Sequence, residues 1–162
     1  MLLPITRVIK ALFGIALDSK RIIGDIGEKR KKARGTKNRI LFEIEFNMKL
    51  IFEHYLKKKV EPSKIIKELR IKNLSKAIDE GFDFEKIKKG TIGEDLTGDV
   101  GFFRPFIGDN CETLLRKIRL ATEDLKLWPD FYDLEERERI NVGVRLQNLG
   151  KRYLLFTRFL NL

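Results

Sequence analysis

Residues 40–59 read ILFEIEFNMKLIFEHYLKKK, and their spacing decides the fold. Leu41, Ile44, Met48, Ile51 and Tyr55 recur at steps of three and four, the period of one helix face. Phe42, Phe46 and Leu50 make a second apolar stripe beside the first. A helix apolar on two faces needs neighbours on both, so it belongs in the middle of a bundle. Glu43, Lys49, Glu53 and Lys57 are expected on its polar edge, with Glu53 and Lys57 as an i,i+4 pair.

The sequence after this helix keeps the same period. Pro62 and Ser63 open a helix that sends Ile65, Ile66, Leu69, Leu74, Ala77 and Ile78 to the core, and Gly81 stops it. Asp83 caps a short helix through Ile87, ended by Gly90. Residues 90–108, GTIGEDLTGDVGFFRPFIG, hold five of the twelve glycines and form a connection. Phe102, Phe103 and Phe106 are expected to plug this connection onto the core. Asp109 followed by Glu112 resembles a capping box. Cys111, Leu114, Leu115, Ile118, Ala121, Leu125 and Trp128 then hold helical spacing up to Pro129. Asp133 and Glu136 repeat the capping pattern before a final helix. Val142, Leu146, Leu149, Tyr153, Phe156 and Leu160 give it a heptad-like seam, facing either the core or a second subunit.

Before residue 40, Ile5, Val8, Ile9, Leu12, Phe13 and Ala16 follow helical spacing, resumed at Ile22, Ile23 and Ile26, with Pro4 in the first turn. Arg7 and Lys10 interrupt the apolar run, so it reads as neither a signal peptide nor a membrane span. Packing on the core or a subunit is expected of this helix. Contact with a membrane surface is the alternative. The fold class is therefore all-α, a bundle of four to five principal helices in a single domain, residues 1–162. Its parts are an N-terminal amphipathic helix (1–28), a basic turn (29–39), central helices (40–89), the Gly-rich loop (90–108) and a C-terminal helical hairpin (109–162). No segment shows the period of a strand.

Composition bounds the chemistry. The 162 residues are 43% hydrophobic, too apolar for a fully disordered chain. One Cys and one His exclude an internal disulfide, a Cys-based zinc site and a multi-histidine metal centre. Cysteine usage this sparse suits a reducing compartment, so a cytoplasmic location is expected. His54 has Asn47, Met48 and Lys49 before it, so the Arg–His pair of helical ribonucleases is missing from this helix. Ile51 stands where a di-iron bundle needs a Glu. The Gly-rich loop lacks the ligand alternation of a calcium loop and the Gly-Lys-Ser/Thr of a phosphate-binding loop. Glu94, Asp95, Asp99 and Asp109 are the candidates for a metal-dependent phosphoesterase, but no nucleophile and base accompany them. Cys111 falls on an apolar stripe as a small hydrophobe. No motif asks for a cofactor or a resident metal.

Charge is the informative quantity. The 34 Lys and Arg against 24 Asp and Glu give a net charge of +10. Residues 1–60 carry 15 basic and 6 acidic side chains, residues 61–100 carry 8 and 9, and residues 101–162 carry 11 and 9. The excess sits in the first third. Residues 29–39 read KRKKARGTKNR, with Lys29, Arg30, Lys31, Lys32, Arg34, Lys37 and Arg39 and no acid. Such a cluster attracts polyanions, and nucleic-acid phosphate is the commonest. Arg145, Lys151, Arg152 and Arg158 on the last helix are candidates to extend the surface. The expected function is a non-enzymatic bundle that binds DNA or RNA through phosphate contacts, without sequence readout. The alternative is a helical interaction or oligomerisation module, with the apolar seams burying a homo-oligomer contact.

Overall fold

The computed structural model describes residues 19–98, 100–131 and 141–162. Among these residues the elements are helices, and an isolated bridge joins Thr91 to Asn110. Helix α1 covers 19–32. Helix α2, Gly35–Met48, runs on as a more widely wound π-helix over Lys49–Lys57. Helices α3, Pro62–Glu68, and α4, Lys72–Asp79, follow. The short α5, Glu94–Thr97, lies between two 3-10 turns, Phe84–Lys86 and Gly101–Phe106. The long helices α6, Cys111–Phe131, and α7, Val142–Leu160, close the chain. This is the all-α bundle that the periodicity predicts. No described helix is long and apolar enough to cross a membrane.

The two predicted seams form the core. Leu41, Ile44, Met48 and Ile51 of the central helix are buried, as are Leu146, Leu149, Tyr153, Phe156 and Leu160 of α7. Each such side chain contributes about 1.5–3 kcal/mol on leaving water. The seam of α7 is therefore occupied within its own chain. Gly150 lets α7 approach the π-helical turn closely, since a Cβ there would lie 3.0 Å from Ile51 Cγ2. The second stripe of α2 behaves differently. Phe42 is 44% exposed beneath the Arg30 guanidinium, and Phe46 lies 3.6 Å below that of Arg70.

The structure corrects the expected helix from Pro62 to Gly81, which breaks at Leu69–Ile71 into α3 and α4. Side chains from elsewhere satisfy the broken backbone. The Asn47 amide donates to Arg70 O at 2.6 Å and accepts from Arg70 N at 2.8 Å. The Glu43 carboxylate accepts from Asn73 N and Leu74 N, both at 2.9 Å, capping the start of α4. Lys126 Nζ donates to Leu69 O at 2.7 Å at the end of α3. Glu43 is thus buried at 2% exposure and not on the polar edge.

Smaller corrections concern helix ends. Asn110, rather than Asp109, caps α6, its Oδ1 accepting from Thr113 N at 2.9 Å. Asp109 instead pairs with Lys117 at 2.7 Å. Helix α1 extends to residue 32, so Lys29 to Lys32 are helical and the turn itself is only Ala33 and Arg34. The Gly-rich connection is folded. Ile92 N donates to Asp109 O and Gly108 N to Ile92 O, while Phe103 and Phe106 are buried. The expectations for residues 1–18, for Asp99, and for Asp133 and Glu136 lie outside the described residues.

Candidate anion-binding surfaces

The basic segment wraps the end of the bundle where α1 stops and α2 starts. Its seven cations divide by what they touch. Lys29 Nζ donates to Leu160 O at 3.1 Å, which ties α1 to the negative end of α7. Arg30 Nε donates to Glu45 Oε2 at 2.6 Å. Glu45 also pairs with Lys49 at 2.9 Å. Burial opposes ionisation of Glu45, but its bonds to Lys49 and Arg30 prevail and hold its pKa below the ordinary value. Lys29 and Arg30 therefore each make a contact that holds the fold at this turn.

The remaining five face outward to different degrees. Lys31 and Lys32 are exposed and make no ion pair among the described residues. Arg34 spends one nitrogen on the Lys31 and Ala33 carbonyls, and Arg39 donates to Thr36 Oγ1 at 3.2 Å. An arginine has five donors, so most of each fork stays available. Lys37 is half-buried. The α2 N-terminus in their midst carries no side-chain cap and no acid in its first turn. Positive charges beside a helix N-terminus repel its dipole, and an anion bound there relieves the repulsion.

The α7 row is held differently. Lys151 Nζ and Arg152 Cζ lie 4.9 and 5.5 Å from the Phe102 ring centroid, and Arg158 Cζ lies 5.6 Å from that of Phe103. Arg145 Cζ stacks 4.3 Å from the Trp128 ring. Burial without a counter-charge lowers the pKa of both Lys151 and Arg152. The phenylalanines that plug the Gly-rich loop thus also floor the cations of α7. Apart from Lys29 at the far end of α7, the structure does not bring the basic segment and this row together.

A groove between α6 and α7 encloses about 360 Å³, with Lys117, Arg145, Asn148 and Arg152 on its walls. Lys117 and Asn148 are missing from the sequence-based set. Arg145, Asn148 and Arg152 fall at i, i+3 and i+7, a spacing that does mark one face of a helix.

The remaining reactive candidates are quiet. Burial pushes the Cys111 thiol up to about 12, far from a nucleophile's range. His54 is half-buried, and its carbonyl accepts from Val60 N. Among the described residues no three His, Cys, Asp or Glu side chains gather as metal ligands. Glu94 and Asp95 are exposed on α5. No family model, curated protein or solved structure matches the chain. Its class is therefore defined by its own geometry, an all-α bundle with cations concentrated at one end and along one helix.

Proposed function

We propose that this bundle is a non-catalytic binder of polyanions, with nucleic-acid phosphate as its partner. One observation carries the reading. Lys31, Lys32, Arg34, Lys37 and Arg39 flank the uncapped start of α2 along the chain, with no acid in that helix's first turn. Phosphate oxygens would accept from the α2 backbone N–H groups and from these side chains. Lys29 and Arg30 hold the turn in place through Leu160 O and Glu45. The surface recognises charge spacing and carries no base readout. The burial of the α7 seam in the chain's own core favours this reading over an oligomer built on that seam.

Fluorescence anisotropy of labelled DNA and RNA duplexes, titrated at several salt concentrations, tests it. The logarithm of the binding constant should fall linearly with the logarithm of salt, with a slope of about −4 if four to five phosphates are neutralised. A Lys31→Ala/Lys32→Ala/Arg34→Ala variant should lose most of the affinity and flatten the slope. Absence of binding at low salt, or equal binding by the variant, overturns the proposal and leaves the interaction-module alternative.

A further inference from the structure

We infer that the groove between α6 and α7 binds a small amphipathic oxyanion, a phosphate monoester carrying a compact apolar body. The inference is independent of the polyanion reading and uses none of the residues of the α1–α2 turn.

The groove is polarised along its length. At one end Lys117 Nζ lies 5.0 Å and Arg152 Cζ 5.9 Å from the centroid of the Phe106 ring, so the two cations flank one aromatic floor. At the other end Arg145 stacks on Trp128, one helical turn beyond Asp124. Lys117, paired with Asp109, and Arg152, unpaired among the described residues, thus gather at the Phe106 end, while Asp124 and Arg145 both line the Trp128 end. Between them run Leu120, 60% exposed, with Ala121 and Leu125. A volume of about 360 Å³ falls in the size range of small-molecule sites.

One side chain on the groove wall is under-satisfied as it stands. Arg152 Nε is buried and has no hydrogen-bond partner. A buried donor left unsatisfied costs about 1–3 kcal/mol, and more on a charged group. Few native donors are left in this state without a reason. The lowering of the Arg152 pKa has the same origin, a guanidinium partly withdrawn from water. An oxyanion at the Phe106 end would accept from the Arg152 guanidinium, from the Asn148 amide and from the one ammonium hydrogen Lys117 does not spend on Asp109 and Pro105 O. The apolar body would then cover Leu120 and Ala121. A bare anion would leave that strip wet, and a neutral apolar molecule would leave the guanidinium unsatisfied. Both halves of the ligand are needed.

Phenyl phosphate is the probe, titrated into the isotope-labelled full chain and followed by NMR. The expected result is a saturable shift of the Arg152 Nε–H resonance together with the Leu120 and Ala121 amides. Inorganic phosphate should bind more weakly, because it lacks the apolar body. Arg152→Met, which keeps the stem over Phe102 and Phe106, should weaken binding about tenfold or more. If that variant does not fold, Lys117→Met should weaken binding in the same direction. The Lys31→Ala/Lys32→Ala/Arg34→Ala variant should bind phenyl phosphate as the wild type does, which separates this site from the turn. No saturable shift up to about 10 mM, a range that already includes millimolar affinities, overturns the inference. Undiminished binding by the folded Arg152→Met variant, or equal affinity for inorganic phosphate, also overturns it.

Discussion

At the α1–α2 turn the ammonium groups of Lys31 and Lys32 stand in solvent, whereas on α7 the cations of Lys151, Arg152 and Arg158 lie over phenylalanine rings. The two regions look alike as sequence, each a run of Lys and Arg with few acids. They differ in what the side chains cover. A cation on an aromatic face gains about 0.5–2 kcal/mol, depending on how far it is desolvated, and gives up part of its freedom to meet a flexible polymer. An exposed lysine keeps that freedom. The same charge is thus a mobile phosphate contact in one place and a fixed wall of a groove in the other.

The contrast breaks most visibly at its aromatic floor. Phe106 is buried under Lys117 and Arg152. Phe106→Ala should cost about 3–5 kcal/mol in chemical denaturation, as large aromatic truncations in a core do. Polyanion affinity of the fraction that remains folded should stay unchanged. A loss of affinity in parallel with the loss of packing would mean that the two regions act as one surface.

Removing the exposed cations should do the converse. Lys31→Ala/Lys32→Ala/Arg34→Ala should lower duplex affinity about a hundredfold at low salt, where phosphate contacts dominate. Its denaturation midpoint should stay within about 0.5 kcal/mol of the wild type, the usual range for surface changes.

Arg30 sharpens the comparison from within the basic segment. Its Nε is committed to Glu45. Arg30→Ala should therefore destabilise the fold by about 1–3 kcal/mol, the worth of a hydrogen bond to a charged group. Its effect on duplex affinity, measured by anisotropy, should be much smaller than that of the triple variant. The opposite ranking would make Arg30 a phosphate ligand.

The smallest effect lies in the core that both regions share. Tyr153, buried and bonded by the Asn47 amide at 2.9 Å, has its pKa pushed up to about 12 from 10.0 by burial. Its unfolded form loses a proton first as pH rises. The stability it contributes is complete below pH 10.0 and falls away between there and about 12. Cys111 acts in the same direction from 9.0 upward. Thermal midpoints should decline through this range. Tyr153→Phe should flatten the decline, at a cost for leaving the Asn47 amide one acceptor short.

Much of the fold was legible because apolar spacing reports a helix face directly. The 4, 3, 4, 3, 4 seam from Val142 to Leu160 found the inner face of α7, and the stripe from Leu41 to Ile51 found that of α2. The α3–α4 break was not legible, because it depends on Asn47 and Glu43 reaching across from α2. Polar residues flanking an apolar stripe read as solvent-facing unless the backbone they serve is known. Asn110 rather than Asp109 caps α6 for a related reason, since Lys117 two turns on claims the aspartate. The basic segment was visible as charge, yet nothing local separates Lys31 from Arg30. That division comes from Glu45, 15 residues away. The groove was half visible, in the spacing of Arg145 and Arg152. Its other wall, Lys117, and its Phe106 floor come from distant parts of the chain.

The most direct test of the central claim is chemical-shift mapping of the labelled chain with a short DNA duplex at low salt. The account predicts that perturbations cluster at residues 31–39, with the α2 backbone N–H groups of Gly35, Thr36 and Lys37 among the largest. Perturbations confined to the α6–α7 groove, or to the exposed leucines of α6, would contradict it.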